Sequence, residues 1–380
     1  MSSFVLPFVL RATQKFVKAD AMREAISLAL VSGRNVILYG PGGHAKSEMI
    51  DSVLAAITSC VSHTQMCGEG MDEAKLYGGI DLAAVNSVSD PQIRYRTANS
   101  FLNWDIVVFE ELFDAAVSAL KSMKDTMTSG SFRNGEEVVP MRTKIMICAT
   151  NKEPHEVAEL GASAQALVER FPLQLRVAWD SYTAADYLEL LTQVGNFNGN
   201  GGAVTIEFAE ILKLQEKAKK VVVPDQVQRV LSELIASTVA GGAVVSPRTA
   251  IYAVELIRAA AAINGRETAE KQDILAVKYL PGLETIAAKI ADEIKAADLR
   301  AQAQVRLSEI EDEIAEMQRS LSSLESPIKC NQIAKRSREL RDELGKLAVP
   351  DGLTERRNGL RDTVEKLSAE AIEKSLSCTH

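Results

Sequence analysis

The stretch Val36-Ile37-Leu38-Tyr39-Gly40-Pro41-Gly42-Gly43-His44-Ala45-Lys46-Ser47 runs four apolar residues into a glycine-rich turn and then into Lys-Ser. The helix-forming Glu48-Met49-Ile50 follows. A buried strand, a tight turn and a helix start, in that order, make a cradle for phosphate. Backbone N–H groups of the turn point inward and the helix adds its positive end. Lys46 reaches the outer phosphates of a nucleoside triphosphate, and the Ser47 hydroxyl ligates Mg²⁺. The spacing is that of GxxxxGK[ST], except that Ala45 stands where the last glycine is expected. Its methyl is accommodated if the residue has already entered right-handed helical geometry, where a positive φ is not needed. The competing reading, a Gly-rich strand–helix turn with no ligand, is disfavoured by the strand, turn and Lys-Ser order.

Outward from this stretch, the 380 residues suffice for two or three domains with ample core. Hydrophobic residues make up 46% of the chain, and no apolar run approaches the roughly 20 residues of a membrane span. The expectation is a soluble protein with no membrane span. Met1–Pro7 is apolar, but the basic residues Arg11, Lys15 and Lys18 follow it rather than precede it. It is therefore not read as a signal peptide, and a cytoplasmic location is expected. Cys60, Cys67, Cys148, Cys330 and Cys378 are few, scattered and odd in number, which suits reduced thiols. Cys60, His63 and Cys67 offer three ligands without a partner pair, too few for a structural metal site. The net charge of −8 argues against a surface that coats nucleic acid and leaves room for a local basic pore.

Lys18-Ala19-Asp20 offers an N-cap for a helix over about residues 17–34, leading into the strand Val36–Tyr39. A polar stretch from about His63 to Asn103 separates the phosphate cradle from the next strand, Trp104-Asp105-Ile106-Val107-Val108-Phe109-Glu110-Glu111. An apolar run ending in carboxylates suits a buried parallel strand with function at its C-terminal end. A helix over Phe113–Met127 is expected next, then a hairpin turning at Asn134-Gly135. Lys144-Ile145-Met146-Ile147-Cys148-Ala149-Thr150-Asn151 reads as another buried strand with a polar end. Strands alternating with helices describe an α/β layered domain. Gly195–Gly202 reads as a loop or linker, and residues 205–290 read mainly as helices, one opened by Ser246-Pro247-Arg248. Beyond about Glu293, Leu307, Ile310, Ile314, Met317, Leu321 and Leu324 form a heptad seam. Ser326-Pro327 and Val349-Pro350 break the pattern, so a folded-back helical hairpin or bundle is favoured over one long rod. A stabilising or oligomerising appendage and a partner-recognition element are both open for this region.

The second carboxylate strand gives the phosphate cradle a reaction. Glu110 would hold Mg²⁺ through water, Glu111 would polarise the water attacking the γ-phosphate, and Asn151 could position that water. The alternative is that Glu111 and Asn151 are ordinary residues at strand ends.

Here the chain resembles MoxR-type AAA+ ATPases. Gly40–Ser47, Phe109-Glu110-Glu111-Leu112, Ala149-Thr150-Asn151, Glu169-Arg170-Phe171 and Ser246-Pro247-Arg248 stand in that family's order, over roughly residues 10–285. Ser131-Phe132-Arg133-Asn134-Gly135, Val139-Pro140-Met141-Arg142 and Ala149–Pro154 are similar to the hairpin and strand of the RavA branch. The resemblance implies a hexameric ring with ATP and Mg²⁺ between subunits. Gly40, Pro41, Gly42, Gly43, His44, Ala45, Lys46 and Ser47 would hold the nucleotide, and Ser47 and Glu110 the metal. Glu111 and Asn151 would act at the γ-phosphate. Arg170 would be the arginine finger reaching a neighbour's γ-phosphate, and Arg248 the lid sensor that couples nucleotide state to lid angle. A surface salt bridge for Arg170 and a helix-cap neighbour for Arg248 are the bland alternatives. The resemblance also places insertions at about 64–103 and 129–142, facing the ring's pore or top surface. Three departures stand out: Glu110 replaces the usual Asp, Ser129-Gly130 replaces a Glu-Arg pair, and no family motif falls past about residue 290.

The expected architecture is an AAA+ α/β core over 1–190, a helical lid over 203–290 and a C-terminal coiled-coil region over 291–380. The expected function is ATP hydrolysis around a ring that remodels a protein partner, with von Willebrand factor A-domain proteins the partners the family suggests. Two rivals remain. A nucleic-acid motor is hinted at only by Arg94, Arg96 and Arg133, and an ATP-binding assembly protein of little turnover is kept open by Glu110.

Overall fold

The computed structural model describes residues 4–178, 182–193, 204–323 and 326–377. Its strands are β1 (Val36–Tyr39), β2 (Ile57–Thr58), β3 (Ser62–Met66), β4 (Ile106–Glu110), β5 (Ser131–Asn134), β6 (Glu137–Pro140), β7 (Ile145–Ala149), β8 (Leu173–Arg176) and β9 (Ile206–Glu207). Five of them form one parallel sheet in the order β3-β4-β7-β1-β8. The apolar runs of β1, β4 and β7 are buried up to the last residue of β4, as befits strands covered on both faces. The chain crosses from β1 to β4 and back to β7, so the loops leaving β1, β4 and β7 emerge side by side at one sheet edge. Ligands of open parallel sheets bind at such an edge.

Helices α1 (Pro7–Ala12) and α2 (Asp20–Ser32) precede the first strand in the chain, and α3 (Lys46–Ala55) follows it. The cap of α2 differs from expectation. Ala19 holds the cap position without a side-chain bond, and Asp20 is the first helical residue. The Asp20 carboxylate is drawn instead to Arg23 at 2.6 Å. That guanidinium is buried and also donates to Thr13 Oγ1, Thr13 O and Phe16 O, so a neutralising carboxylate stabilises it more than a cap would.

The stretch that reads as merely polar contains the edge strand β3 and the short helices α4 (Glu73–Leu76) and α5 (Leu82–Val85). Ser62-His63-Thr64-Gln65-Met66 has no apolar run, and its strand state comes from the ladder offered by β4. After β4, Phe113 lies in a 3₁₀ turn, Leu112–Asp114, and α6 spans Val117–Ser129. Helix α6 stops at Gly130, whose φ is +68°.

The hairpin β5–β6 forms where Asn134-Gly135 marks it, with its turn one residue later than the dipeptide suggests. Asn134 still pairs with Glu137, and Gly135-Glu136 make the turn, Gly135 at φ +64°. Asn134 spends its amide elsewhere: Oδ1 accepts from Tyr95 N at 2.7 Å and Nδ2 donates to Tyr95 O at 2.9 Å. Tyr77 stacks on Phe132 with ring centroids 3.7 Å apart. The hairpin and the 68–103 stretch thus share one packed cluster.

Helices α7 (Pro154–Glu159), α8 (Ala162–Val168) and α9 (Ala184–Gln193) follow β7 and β8. Helices α10 (Phe208–Lys220), α11 (Asp225–Ala240) and α12 (Pro247–Ile263) come after β9. The expected loop at Gly195–Gly202 lies outside the described residues. Helices α10 and α12 are pinned to α2 and its end. Arg34 makes a two-pronged bond to Glu255 at 2.7 and 2.6 Å, and Gln215 Nε2 donates to Leu30 O at 2.8 Å.

The chain divides into two compact units, Met1–Ala288 and Lys289–His380. The second is built from α13 (Glu284–Ser323) past its first turn, α14 (Pro327–Lys346) and α15 (Asp351–Ser377). Pro327 opens α14 and Pro350 precedes α15, so both breaks read from the sequence are chain reversals. Arg306 bonds Glu343 and Arg336 bonds Glu313, which makes α14 antiparallel to α13. Arg356 bonds Glu311 and Lys374 bonds Leu321 O, so α15 runs parallel to α13. The heptad residues Leu307, Ile310, Ile314 and Leu321 are buried against Leu340, Leu344, Val364 and Leu367. Leu324 and Cys378 lie outside the described residues.

Candidate active site

Gly40 leaves β1 at φ +126°, and a Cβ there would sit 2.0 Å from Val177 O. Both the dihedral and the close approach demand glycine. Gly43 is left-handed at φ +87°. Ala45 corrects the sequence-based expectation: it is at φ +53°, ψ 26°, in the left-handed region and not in right-handed helical geometry. Helix α3 starts only at Lys46, so the turn keeps its glycine-type backbone and the methyl is carried at a cost of about 1 kcal/mol.

Lys46 is buried, and its ammonium donates to Gly40 O at 2.6 Å, Pro41 O at 3.0 Å and Asn151 Oδ1 at 3.3 Å. Burial lowers its pKa, while the carboxylates of Glu111 and Glu153 push it back up. His44 folds onto the same loop through Nδ1 and Pro41 O at 3.0 Å.

Glu110 ends β4 opposite Ala149 of β7. Glu111 then turns the chain at φ +53°, and its N–H donates to Ala149 O at 2.9 Å. Its carboxylate accepts from Thr150 Oγ1 at 3.2 Å and from Asn151 N at 3.0 Å. Lys46, Asn151 and Glu111 therefore form one connected chain across the ends of β1, β7 and β4. Gly42 to Glu48, Met66, Glu110, Glu111, Ala149 and Asn151 line a cleft of about 490 Å³ there. Ser47 and Glu110 offer hard oxygen donors in that cleft, a set that fits Mg²⁺, which keeps waters and substrate phosphates as its other ligands.

Arg170 and Arg248 stand elsewhere. The Arg170 carbonyl accepts from Asn35 Nδ2 at 2.8 Å, and Asn35 precedes β1. The finger candidate thus sits at the opposite sheet edge, a strand of four residues or roughly 13 Å from its own phosphate loop. Arg248, in the first turn of α12, lies 3.7 Å from Glu169, which also pairs with Arg170 at 3.3 Å. The two arginines share Glu169 and neither lines the phosphate cleft.

Two further residues flank the cleft and were not singled out from the sequence. Arg176 ends β8 and bonds Glu153 at 2.7 Å, bridging the two strands on either side of β1. Glu153 lies in the Asn151–Pro154 segment already marked by resemblance, whereas Arg176 ends a short strand, Leu173-Gln174-Leu175-Arg176, that has no continuous apolar run. Cys67 donates its N–H to Glu110 O at 2.8 Å, and burial pushes its thiol up to about 12, which disfavours the thiolate that a nucleophile needs.

The family described as the MoxR domain in the MoxR-vWA-beta-propeller ternary systems matches residues 6–216, more than half of the chain. The chain belongs to the MoxR family of AAA+ ATPases. A crystal structure of a protein assigned as an ATPase from Cytophaga hutchinsonii shares the fold, with a TM-score of 0.58 at 17% identity, over 75% of this chain and 92% of that one. The MoxR chain thus has an AAA+ α/β core with a five-stranded parallel sheet, further helices and a long C-terminal helical region. Among the described residues, no helix is long and apolar enough to cross a membrane.

Proposed function

We propose that this MoxR protein, of a RavA-like branch, hydrolyses ATP at the subunit interfaces of a homo-hexameric ring and uses the energy to remodel or assemble a protein partner. The observation that carries the reading is the chain Lys46–Asn151–Glu111, which joins phosphate loop, sensor strand and carboxylate strand in one cleft. Lys46 binds the β/γ-phosphates and Glu111 draws the proton from the attacking water. Asn151, tied to both, fixes where that water sits. Ser47 and Glu110 would hold Mg²⁺, which when bound neutralises charge on the phosphates. Arg170 and Arg248 share Glu169 and neither lines the cleft, which supports Arg170 acting on a neighbouring subunit's γ-phosphate, with Arg248 the lid sensor that couples nucleotide state to lid angle. The helices over 203–290 serve as the lid.

The family description supports a von Willebrand factor A-domain protein as partner, and the acidic net charge makes nucleic acid an unfavoured one. A cytoplasmic location accords with ATP as substrate. Glu110, one methylene longer than Asp, favours a second reading, an ATP-binding assembly protein with little turnover. The deciding experiment is ATPase rate against protein concentration with sizing in parallel, for wild type, Glu111→Gln and Arg170→Ala. The motor reading expects a per-subunit rate that rises with assembly and falls at least 100-fold in either variant without loss of the ring. A flat, near-zero wild-type rate on a stable assembly would establish the second reading instead.

A further inference from the structure

One hydroxyl oxygen takes two of the Arg170 guanidinium's hydrogen bonds. Thr128, in the last turn of α6, donates its hydroxyl proton to Lys124 O at 2.7 Å. Both lone pairs of that oxygen then face the guanidinium, accepting from Arg170 Nε at 3.2 Å and Nη2 at 3.0 Å. Two adjacent donors of a planar fork held on one acceptor fix both the plane and the direction of the group. The other contacts are made by Nη1. Nη1 reaches Ala166 O and Glu169 at 3.3 Å each, and the Glu169 side chain is 66% exposed and also lies near Arg248. An exposed carboxylate at that distance does little to fix a side chain.

We propose that Thr128 is the positioning residue for Arg170, setting the direction in which the finger meets a neighbouring subunit's γ-phosphate. This rests on the reading of Arg170 as a finger acting in trans. A neutral hydroxyl suits the task, because it orients the guanidinium without cancelling the charge that the transferring phosphoryl group needs. Nη2 keeps a second N–H beyond its bond to Thr128, available to an incoming oxygen. Thr128 also ties the finger to its own subunit's chemistry: α6 begins just after Glu111 and the 3₁₀ turn that follows it, and it ends at Gly130 before the hairpin.

The test uses the full chain under conditions where sizing shows the ring, and compares Thr128→Val, Thr128→Ser, Arg170→Ala and the Thr128→Val/Arg170→Ala double variant. Valine keeps the branched shape and removes the acceptor. Thr128→Val should lower kcat about tenfold with KM for ATP within about twofold, since the finger contributes in the transition state. Thr128→Ser should recover most of the rate. The double variant should be no slower than Arg170→Ala, because Thr128 acts only through the finger. Should Thr128→Val not assemble, Thr128→Ala is read by the same criteria. Wild-type turnover in the assembled valine or alanine variant, or an additive loss in the double variant, overturns the positioning role and leaves Arg170 as a finger. Undiminished turnover by an assembled Arg170→Ala ring, or none by wild type, instead defeats the reading beneath it.

Discussion

Ala45 holds a backbone conformation that glycine would hold without strain, and its position in the phosphate loop makes that strain measurable. Ala45→Gly should raise stability by about 0.5 kcal/mol, the relief at φ +53° less glycine's extra freedom in the unfolded chain. Denaturant unfolding checks this: the midpoint should rise at an unchanged slope, and a fall would mean that the left-handed geometry is not the dominant cost. Lys46 gives the site a pH dependence of definite sign. Its pKa is depressed by burial, so it loses its proton below the ordinary lysine range, and ATP affinity should fall on the alkaline side. Glu153 pushes that pKa upward, so Glu153→Gln should shift the alkaline limb of an ATP-binding profile to lower pH. A fluorescent-nucleotide titration across pH decides it, and an unmoved limb would show that Lys46 does not govern the profile. The phosphate-loop motif of Gly40–Ser47 was legible because it is written in residue types. The dihedral of Ala45 and the Glu153–Arg176 bridge were not, because a residue's φ and its distant partner are set by the surrounding fold.

At the scale of elements, the hairpin β5–β6 and the 68–103 stretch are bound by one side chain as well as by stacked rings. Asn134 satisfies both backbone groups of Tyr95, and Asn134→Ala leaves that N–H and C=O unpaired at a cost of about 1–3 kcal/mol. Amide exchange over residues 77–103 and 131–140 should quicken about tenfold or more, while ATP affinity stays within about twofold. Unchanged exchange would mean that the stacking of Tyr77 on Phe132 suffices alone. Elements with a strong local signal were readable from the sequence, among them β1, β4, β7 and the hairpin. Strand β3 was not, since its polar residues take strand form only against β4, and β8, Leu173-Gln174-Leu175-Arg176, lacks the continuous apolar run that marks β1. Asn134 misled in a useful way: the dipeptide marks the hairpin, but the asparagine is kept for Tyr95 and the turn falls on Gly135-Glu136.

Across the whole molecule, two compact units with separate cores imply two separable stabilities. The heptad seam and its two proline breaks made the second unit legible as a folded-back bundle, because apolar period and chain reversal are both local signals. Leu340 is fully buried among Leu307, Leu344 and Val364, and Leu340→Ala should cost the bundle about 3 kcal/mol. By the proposed reading ATP binds the first unit, so it should raise only that unit's melting transition, in proportion to the logarithm of its concentration, which assigns the two transitions without any truncation. In the Leu340→Ala chain, the ATP-insensitive transition should then move down while the ATP-sensitive one and the nucleotide affinity hold. Calorimetry with and without ATP makes the distinction. If one transition carries both responses, or if Leu340→Ala weakens ATP binding, the bundle is energetically part of the ATPase unit.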